Sequence, residues 1–240
     1  MATASAPGQD DWDPYVRNVQ NYGTTAAREC LMAGKSLERV QRLVRRVHRS
    51  LDGAIAAAMR LSPEDVTVDC RPGCSRCCCS LRVGVSPPEA LVLADRLTSS
   101  QDERDQKRIE RFTHVAQEVK CFDLAGWSRR KTACPLLEAN LCSLYSMRPL
   151  SCRGLATTDA KKCAGFTGDS TELVSHLLPH LLGGQAMLAG LQEGLRDVGL
   201  CGGPIEMISA VSLALTDETA GPRWLKGEDV FGHLTELLSS

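Results

Sequence analysis

The sequence predicts a mainly α-helical protein whose helices pack around a loop-rich, cysteine-rich centre. Three observations predict it. The 240-residue chain is 43% hydrophobic but only 4% aromatic, so its core draws on Leu, Val and Ala, which together favour helix over strand. Apolar residues recur at helical spacing in the segments flanking the centre. Between those segments, nine of the 12 cysteines fall into two patches with no regular period. The expected organisation is a disordered tail over residues 1–13 and a single helical domain over 14–240, with the cysteine core at 66–168.

Residues 1–13 are small, polar and acidic and contain no apolar run of the kind found in a secretory signal. The longest mostly apolar stretch, residues 53–59, is too short to span a bilayer. The expectation is a cytoplasmic protein with reduced thiols and no membrane association. In that setting clustered cysteines are more often metal ligands or catalytic groups than disulfides. A formal net charge of −1 predicts no global attraction to nucleic acid.

From residue 24 to 61 the pattern is helical, with Leu37, Val40, Leu43, Val44, Val47 and Leu51 forming one stripe. Arg39, Arg42, Arg45, Arg46 and Arg49 occupy the remaining faces. Such a run can bind phosphate or RNA, but with no aromatic interleaved for base stacking it reads as a solvated face. Gly34 and Gly53 are candidate breaks, and Ser62-Pro63 is the expected end. Residues 81–85 resemble a short strand. Ser86-Pro87-Pro88-Glu89 then opens a helix to about Leu97, with Ser86 as cap, Pro87 at the first position and Glu89 as capping-box acid.

A charged helix is expected over 101–119 and loops with short turns over 121–168. Further helices are expected over 172–182, 185–198, 204–215 and 229–238, separated by Gly183-Gly184, Gly202-Gly203 and Gly221-Pro222. Trp224 and Phe231 are expected to anchor the C-terminal part. No internal repeat or heptad run is present.

The first patch is Cys70-Arg-Pro-Gly-Cys74-Ser-Arg-Cys77-Cys78-Cys79. Cys74 and Cys77 have the spacing of a metal knuckle, in which two intervening residues let both sulfurs face one ion. Cys70 precedes them across Arg-Pro-Gly, which can reverse the chain. Adjacent Cys77 and Cys78 point in different directions and suit either different metals or a bridge. The second patch, Cys134, Cys142, Cys152 and Cys163, is spaced to bring ligands from separate loops. Four thiolates around zinc, or around an oxidised four-iron cluster, leave a charge of about −2. Arg148 and Arg153 are placed to offset that charge and to donate to sulfur, and Tyr145 is a further candidate donor. The ordinary alternatives are surface ion pairs for the arginines and packing for Tyr145. Cys30, Cys121 and Cys201 read as ordinary buried residues. His176 and His180 read as helix-face residues, because Pro179 lies between them and no metalloprotease acid does.

The ordered set Cys70-x3-Cys74-x2-Cys77-Cys78, Cys134-Pro-Leu-Leu and Cys142-x2-Tyr145-x2-Arg148-Pro149-x2-Cys152-Arg153 resembles the YkgJ-type CxxCxxCC cysteine-cluster family. That resemblance implies a zinc- or iron-chelating protein. It implies a ligand set of Cys70, Cys74, Cys77, Cys78, Cys134, Cys142 and Cys152, with Cys163 as the eighth. Arg76, where many members carry a small residue, and Cys79 depart from the pattern. A related cysteine motif occurs in flagellin lysine methylases, which resemble iron–sulfur enzymes. This chain is short for such an enzyme and shows no separate methyl-donor motif.

Three function classes follow. One is an iron–sulfur protein with a redox or protein-modifying role, another a structural zinc protein, and the third a carrier that passes zinc or iron on. Adjacent cysteines and more than four thiols favour an iron–sulfur cluster over a lone tetrahedral zinc. The partner implied is a metal ion or cluster, with a protein partner unidentified. Neither the substrate nor an enzymatic step is legible.

Overall fold

The computed structural model describes residues 12–61, 66–165 and 176–239. The elements run α1 (Asp13–Leu31), α2 (Leu37–Met59), β1 (Gly84–Val85), α3 (Pro87–Thr98), α4 (Glu103–Val119), α5 (Leu124–Arg130), β2 (Leu137–Glu138), β3 (Leu141–Cys142), α6 (Leu150–Arg153), α7 (Ala160–Gly165), α8 (Leu178–Asp197), β4 (Ile205–Glu206), α9 (Met207–Thr216) and α10 (Ala220–Leu225). Tight 3-10 turns occupy Cys77–Cys79, Tyr145–Met147, Gly232–Leu234 and Glu236–Leu238. The protein is mainly α, as expected. Among the described residues no helix is long and apolar enough to cross a membrane.

Two helical layers share one core. Helices α1, α2 and α8 pack together, as do α3, α4 and α9, and α2 joins the layers by packing on α3. One apolar cluster runs through both, from Leu43, Leu51 and Leu191 to Leu93, Phe112 and Trp224. The stripe of α2 is buried from Val40 to Leu51, with Leu37 half-buried, and His48 and Ile55 extend it. Ser36 caps α2 by accepting from the Arg39 amide at 3.3 Å. Gly34 does separate the helices, at a φ of 150°. Gly53 does not, because no neighbour crowds it and the helix ladder continues.

Glu89 closes the capping box of α3, its Oε2 accepting from Ser86 N at 3.0 Å and Ser86 Oγ at 2.9 Å. The strand-like run shortens to β1, which pairs antiparallel with β4 in the register Gly84 to Glu206.

Besides α5 and α7 within the loops expected over 121–168, an exposed Cys121 and a bridge rather than a helix at His176, four expectations need correction. First, the tail expected over 1–13 lies outside the described residues as far as residue 11, but Asp13 already opens α1, which begins well before residue 24. Residues 172–175 of another expected helix also lie outside them. Second, Gly183-Gly184 does not break the chain, and α8 runs straight through it. A side chain at Gly183 would strike the Tyr15 hydroxyl, and one at Gly184 would press on Gly154. These glycines admit close neighbours rather than a turn.

Third, Gly221-Pro222 lies inside α10, in the first turn, where a missing N–H leaves no ladder bond unmade. Fourth, the helix expected over 229–238 is replaced by two 3-10 turns. There the Leu237 carbonyl accepts from Arg82 Nη1 at 2.7 Å and the Thr235 hydroxyl donates to the Pro204 carbonyl at 3.0 Å, so tertiary partners replace the helical ladder. Trp224 and Phe231 are fully buried, as expected of anchors.

The α1–α8 contact depends on glycine. A Cβ at Gly190 would run into the Gln20 carbonyl and one at Gly194 into that of Thr24. Thr24 Oγ1 donates to the Gly190 carbonyl at 3.1 Å across this close approach. Replacing Gly190 by Ala is expected to lower unfolding stability by about 1–3 kcal/mol, the usual range for overpacking. The comparison is urea unfolding of wild type and variant at equal metal content, and an unchanged midpoint would refute it.

Candidate metal centre

The two cysteine patches meet through backbone. Asp69 N donates to the Thr157 carbonyl at 2.9 Å, and Asp69 Oδ2 accepts from Ala160 N at 2.8 Å. These bonds set Cys70 beside α7, which carries Cys163. The Arg-Pro-Gly linker reverses the chain as expected, with Gly73 at a φ of 89° and Cys74 N donating to the Arg71 carbonyl at 3.1 Å. Cys77, Cys78 and Cys79 then form one tight turn. Cys134 N donates directly to the Cys78 carbonyl at 2.8 Å, which joins the first patch to the second.

Cys142 reaches the site on a hairpin. Strands β2 and β3 pair antiparallel, with Cys142 opposite Leu137. The turn between them places Ala139 and Asn140 at φ values of 47° and 61°, as a tight hairpin turn requires. Glu138 ties this hairpin to α4, bonding Arg108 at 2.9 Å and Arg111 at 2.8 Å, while buried Asp105 pairs with Arg108 from behind. The Ser75 hydroxyl donates to Asn140 Oδ1 at 3.1 Å, linking the hairpin tip to the first loop.

The thiols fall into two electrostatic groups. Cys78, Cys134, Cys142 and Cys152 interact through a web that includes Cys77. Cys70, Cys74 and Cys163 form the other group, which also reaches Cys77. Burial pushes the Cys134 thiol up to about 12 and the Cys152 thiol well above its ordinary range, and neighbouring cysteines push further. Cys77 goes the other way, because the Cys78 thiol donates to its sulfur, and Cys78 rises in consequence.

Twelve free cysteines are present and none is bridged. Among the described residues, no three Cys, His, Asp or Glu side chains stand close enough to hold an ion as they are. The donor set nevertheless fits a thiophilic metal, since crowded, desolvated thiols are deprotonated most readily by a bound cation that offsets their mutual repulsion.

A buried carboxylate holds the floor of the centre. Glu89 is 1% exposed and accepts four hydrogen bonds. Besides the two from Ser86, its Oε1 takes His48 Nε2 at 2.9 Å and Leu150 N at 2.7 Å. Leu150 begins α6, which carries Cys152, so Glu89 fixes that helix against α2 and α3. Burial alone would raise the Glu89 carboxyl, but these donors hold it below its ordinary value.

Burial raises the Cys142 thiol, and the Arg148 charge partly opposes this; the Arg148 guanidinium stacks 4.1 Å from the Tyr145 ring centre. Tyr145 itself is exposed, with its ring under Arg148. Arg153 is buried, and its bonds run to the Arg148 and Ser146 carbonyls, to Asp52 and to His48 Nδ1 rather than to sulfur. Cys79 faces Lys131 and Arg76. Sequence reasoning missed His48 and Asp52 and saw in Glu89 only a cap. The signal for His48 was its position inside the buried stripe of α2, where an imidazole needs a polar partner.

Residues 69–168 match the family model CxxCxxCC, described as a "Putative zinc- or iron-chelating domain". That segment is similar to the CxxCxxCC family. It takes in both cysteine patches, the hairpin and α6, so chelation of zinc or iron is the chemistry the family assigns to this region. No curated protein and no solved structure matches the chain.

Glu89→Gln is expected to cost about 1–3 kcal/mol near neutral pH, because donors lose their charged acceptor. The Glu89 carboxyl is depressed in the folded state, so its contribution is present above its ordinary value of 4.5 and is lost as pH falls through its lower folded value. Urea midpoints of wild type and variant should therefore converge in acid, and a gap that stays constant down to pH ~3 would contradict the assignment.

Proposed function

We propose that Cys70, Cys74, Cys77, Cys78, Cys134, Cys142, Cys152 and Cys163 chelate an iron–sulfur cluster and that the protein uses it in a redox or protein-modifying role. The observation that carries this reading is the Cys134 N to Cys78 carbonyl bond of 2.8 Å, which draws two distant patches together. Cys77, common to both thiol groups, suits a centre with several metals. Bound there, a cluster supplies electron transfer or a Lewis-acidic iron.

This chain's own residues supply the rest. Arg148 offsets thiolate charge beside Cys142. Arg153 and Glu89 act one step back, by holding the loop and helix that present Cys142 and Cys152. The loops must close slightly to bring donors into range, so metal binding orders them.

A second reading has its own observation. The thiols divide into Cys78, Cys134, Cys142, Cys152 and Cys70, Cys74, Cys163, with Cys77 completing the smaller group. Two sets of four suit two tetrahedral zinc ions in a structural or carrier protein. A methylase-like iron–sulfur enzyme is the third reading, and it rests on motif resemblance alone. A reducing, cytoplasmic setting agrees with all three.

Anaerobic purification with elemental analysis and an absorption spectrum separates them. Iron, acid-labile sulfide and a broad band near ~400 nm are expected. One or two zinc ions in a colourless protein would replace the first reading with the second, and no metal would sink both. The Cys74→Ser/Cys77→Ser double variant is expected to lose most bound metal, while Cys201→Ser keeps it. Metal binding should release protons and weaken as pH falls, because the ligands must be thiolates.

A further inference from the structure

A pocket of about 310 Å³ lies between α2, α3 and the segment from Ser146 to Arg153. Arg45, His48, Arg49, Asp52, Glu89 and Arg153 supply its polar lining. Val92 and Leu93 of α3 supply an apolar wall. We propose that this pocket binds a small organic anion through an oxyanion head, either a carboxylate or a phosphate. The proposal does not depend on which metal the cysteines hold.

The charge arrangement on α2 carries the argument. Three of its five arginines are spent on other partners. Arg39 donates to the Cys30 carbonyl at 3.1 Å, Arg42 pairs with Glu38 at 3.3 Å and Arg46 with Glu29 at 2.5 Å. Arg45 and Arg49 are exposed at the pocket mouth and have no acidic partner among the described residues. Four residues apart, they share one helix face, where two like charges repel unless an anion lies between them. Guanidinium groups are also the side chains best suited to paired hydrogen bonds with carboxylate or phosphate.

The pocket floor favours a single anionic head. Both acids there are already engaged. Glu89 accepts four hydrogen bonds, and Asp52 pairs with Arg153. Arg153 is a donor only, so His48 Nδ1 accepts from it and His48 Nε2 carries the proton given to Glu89. Both ring nitrogens are thereby engaged, with no N–H free for the pocket. Three arginines against two carboxylates leave one net positive charge on the lining. The volume equals that of about ten waters, enough for a head group and a short carbon skeleton.

The test is calorimetric titration of the full chain, as purified, with inorganic phosphate and separately with succinate, at ionic strength held constant with chloride. Saturable millimolar or tighter binding of either anion is expected, and the one that binds identifies the head group. Arg45→Gln/Arg49→Gln should weaken it at least tenfold, while Arg42→Gln, whose residue pairs outside the pocket, should leave it unchanged. Circular dichroism checks that both variants fold. Absence of binding by both anions, or equal binding by the double variant, would overturn the proposal. Because metal content is read on the same samples, failure here is distinguishable from failure of the chelation reading.

Discussion

The Glu89 carboxylate is the constraint on which the cysteine region depends. Its four hydrogen bonds come from three elements, namely the α3 cap, His48 of α2 and the first amide of α6. A buried carboxylate is costly unless its acceptor sites are filled. Here the filling donors are the groups whose positions must be fixed. Arg153 repeats the device with opposite charge, tying α2 to the loop before α6 through Asp52 and two carbonyls. Cys152 lies between these two pins in sequence. Its position follows from a polar network rather than from contacts made by sulfur.

The thiols themselves are poor builders of structure. Partly desolvated, most of them resist ionisation, Cys77 excepted, and among the described residues none is bridged to another. Short elements therefore carry the scaffold. A tight turn holds Cys77 to Cys79, a hairpin braced by Glu138 holds Cys142, and a one-turn helix holds Cys152. Collection of the sulfurs comes from the polypeptide, and on the proposed chelation their final arrangement is left to the cation. Metal sites in loop-rich regions commonly couple binding to folding in this way.

The helical layers frame that region. Backbone contact at Gly190 and Gly194 lets α1 and α8 approach more closely than side chains allow, and α6 docks on the same helix where Gly184 meets Gly154. The large helical layers thus reach the cysteine region through α6 and through β1, which pairs with β4. Deforming the helical frame would move Cys152 without touching any thiol.

Much of this was legible in sequence, wherever the signal is local. The α2 stripe, the Ser86 to Glu89 cap, the start and end of α4 within two residues, the helical class and the two cysteine patches all follow from spacing that acts over a few residues. Glycine was misread at Gly183-Gly184, because a sequence cannot distinguish a glycine that bends the chain from one that admits a neighbouring backbone. Residues 229–238 were misread because tertiary acceptors and donors, Arg82 and Pro204, outcompete a short helix. By itself the sequence determined which residues are thiols and how they are grouped along the chain. Only the tertiary structure decided that Cys78 and Cys134 meet, that Cys77 faces both groups, and that Glu89, His48 and Arg153 form one buried network. Those pairings join residues up to 105 positions apart, and burial of charge, which only folding creates, selects them.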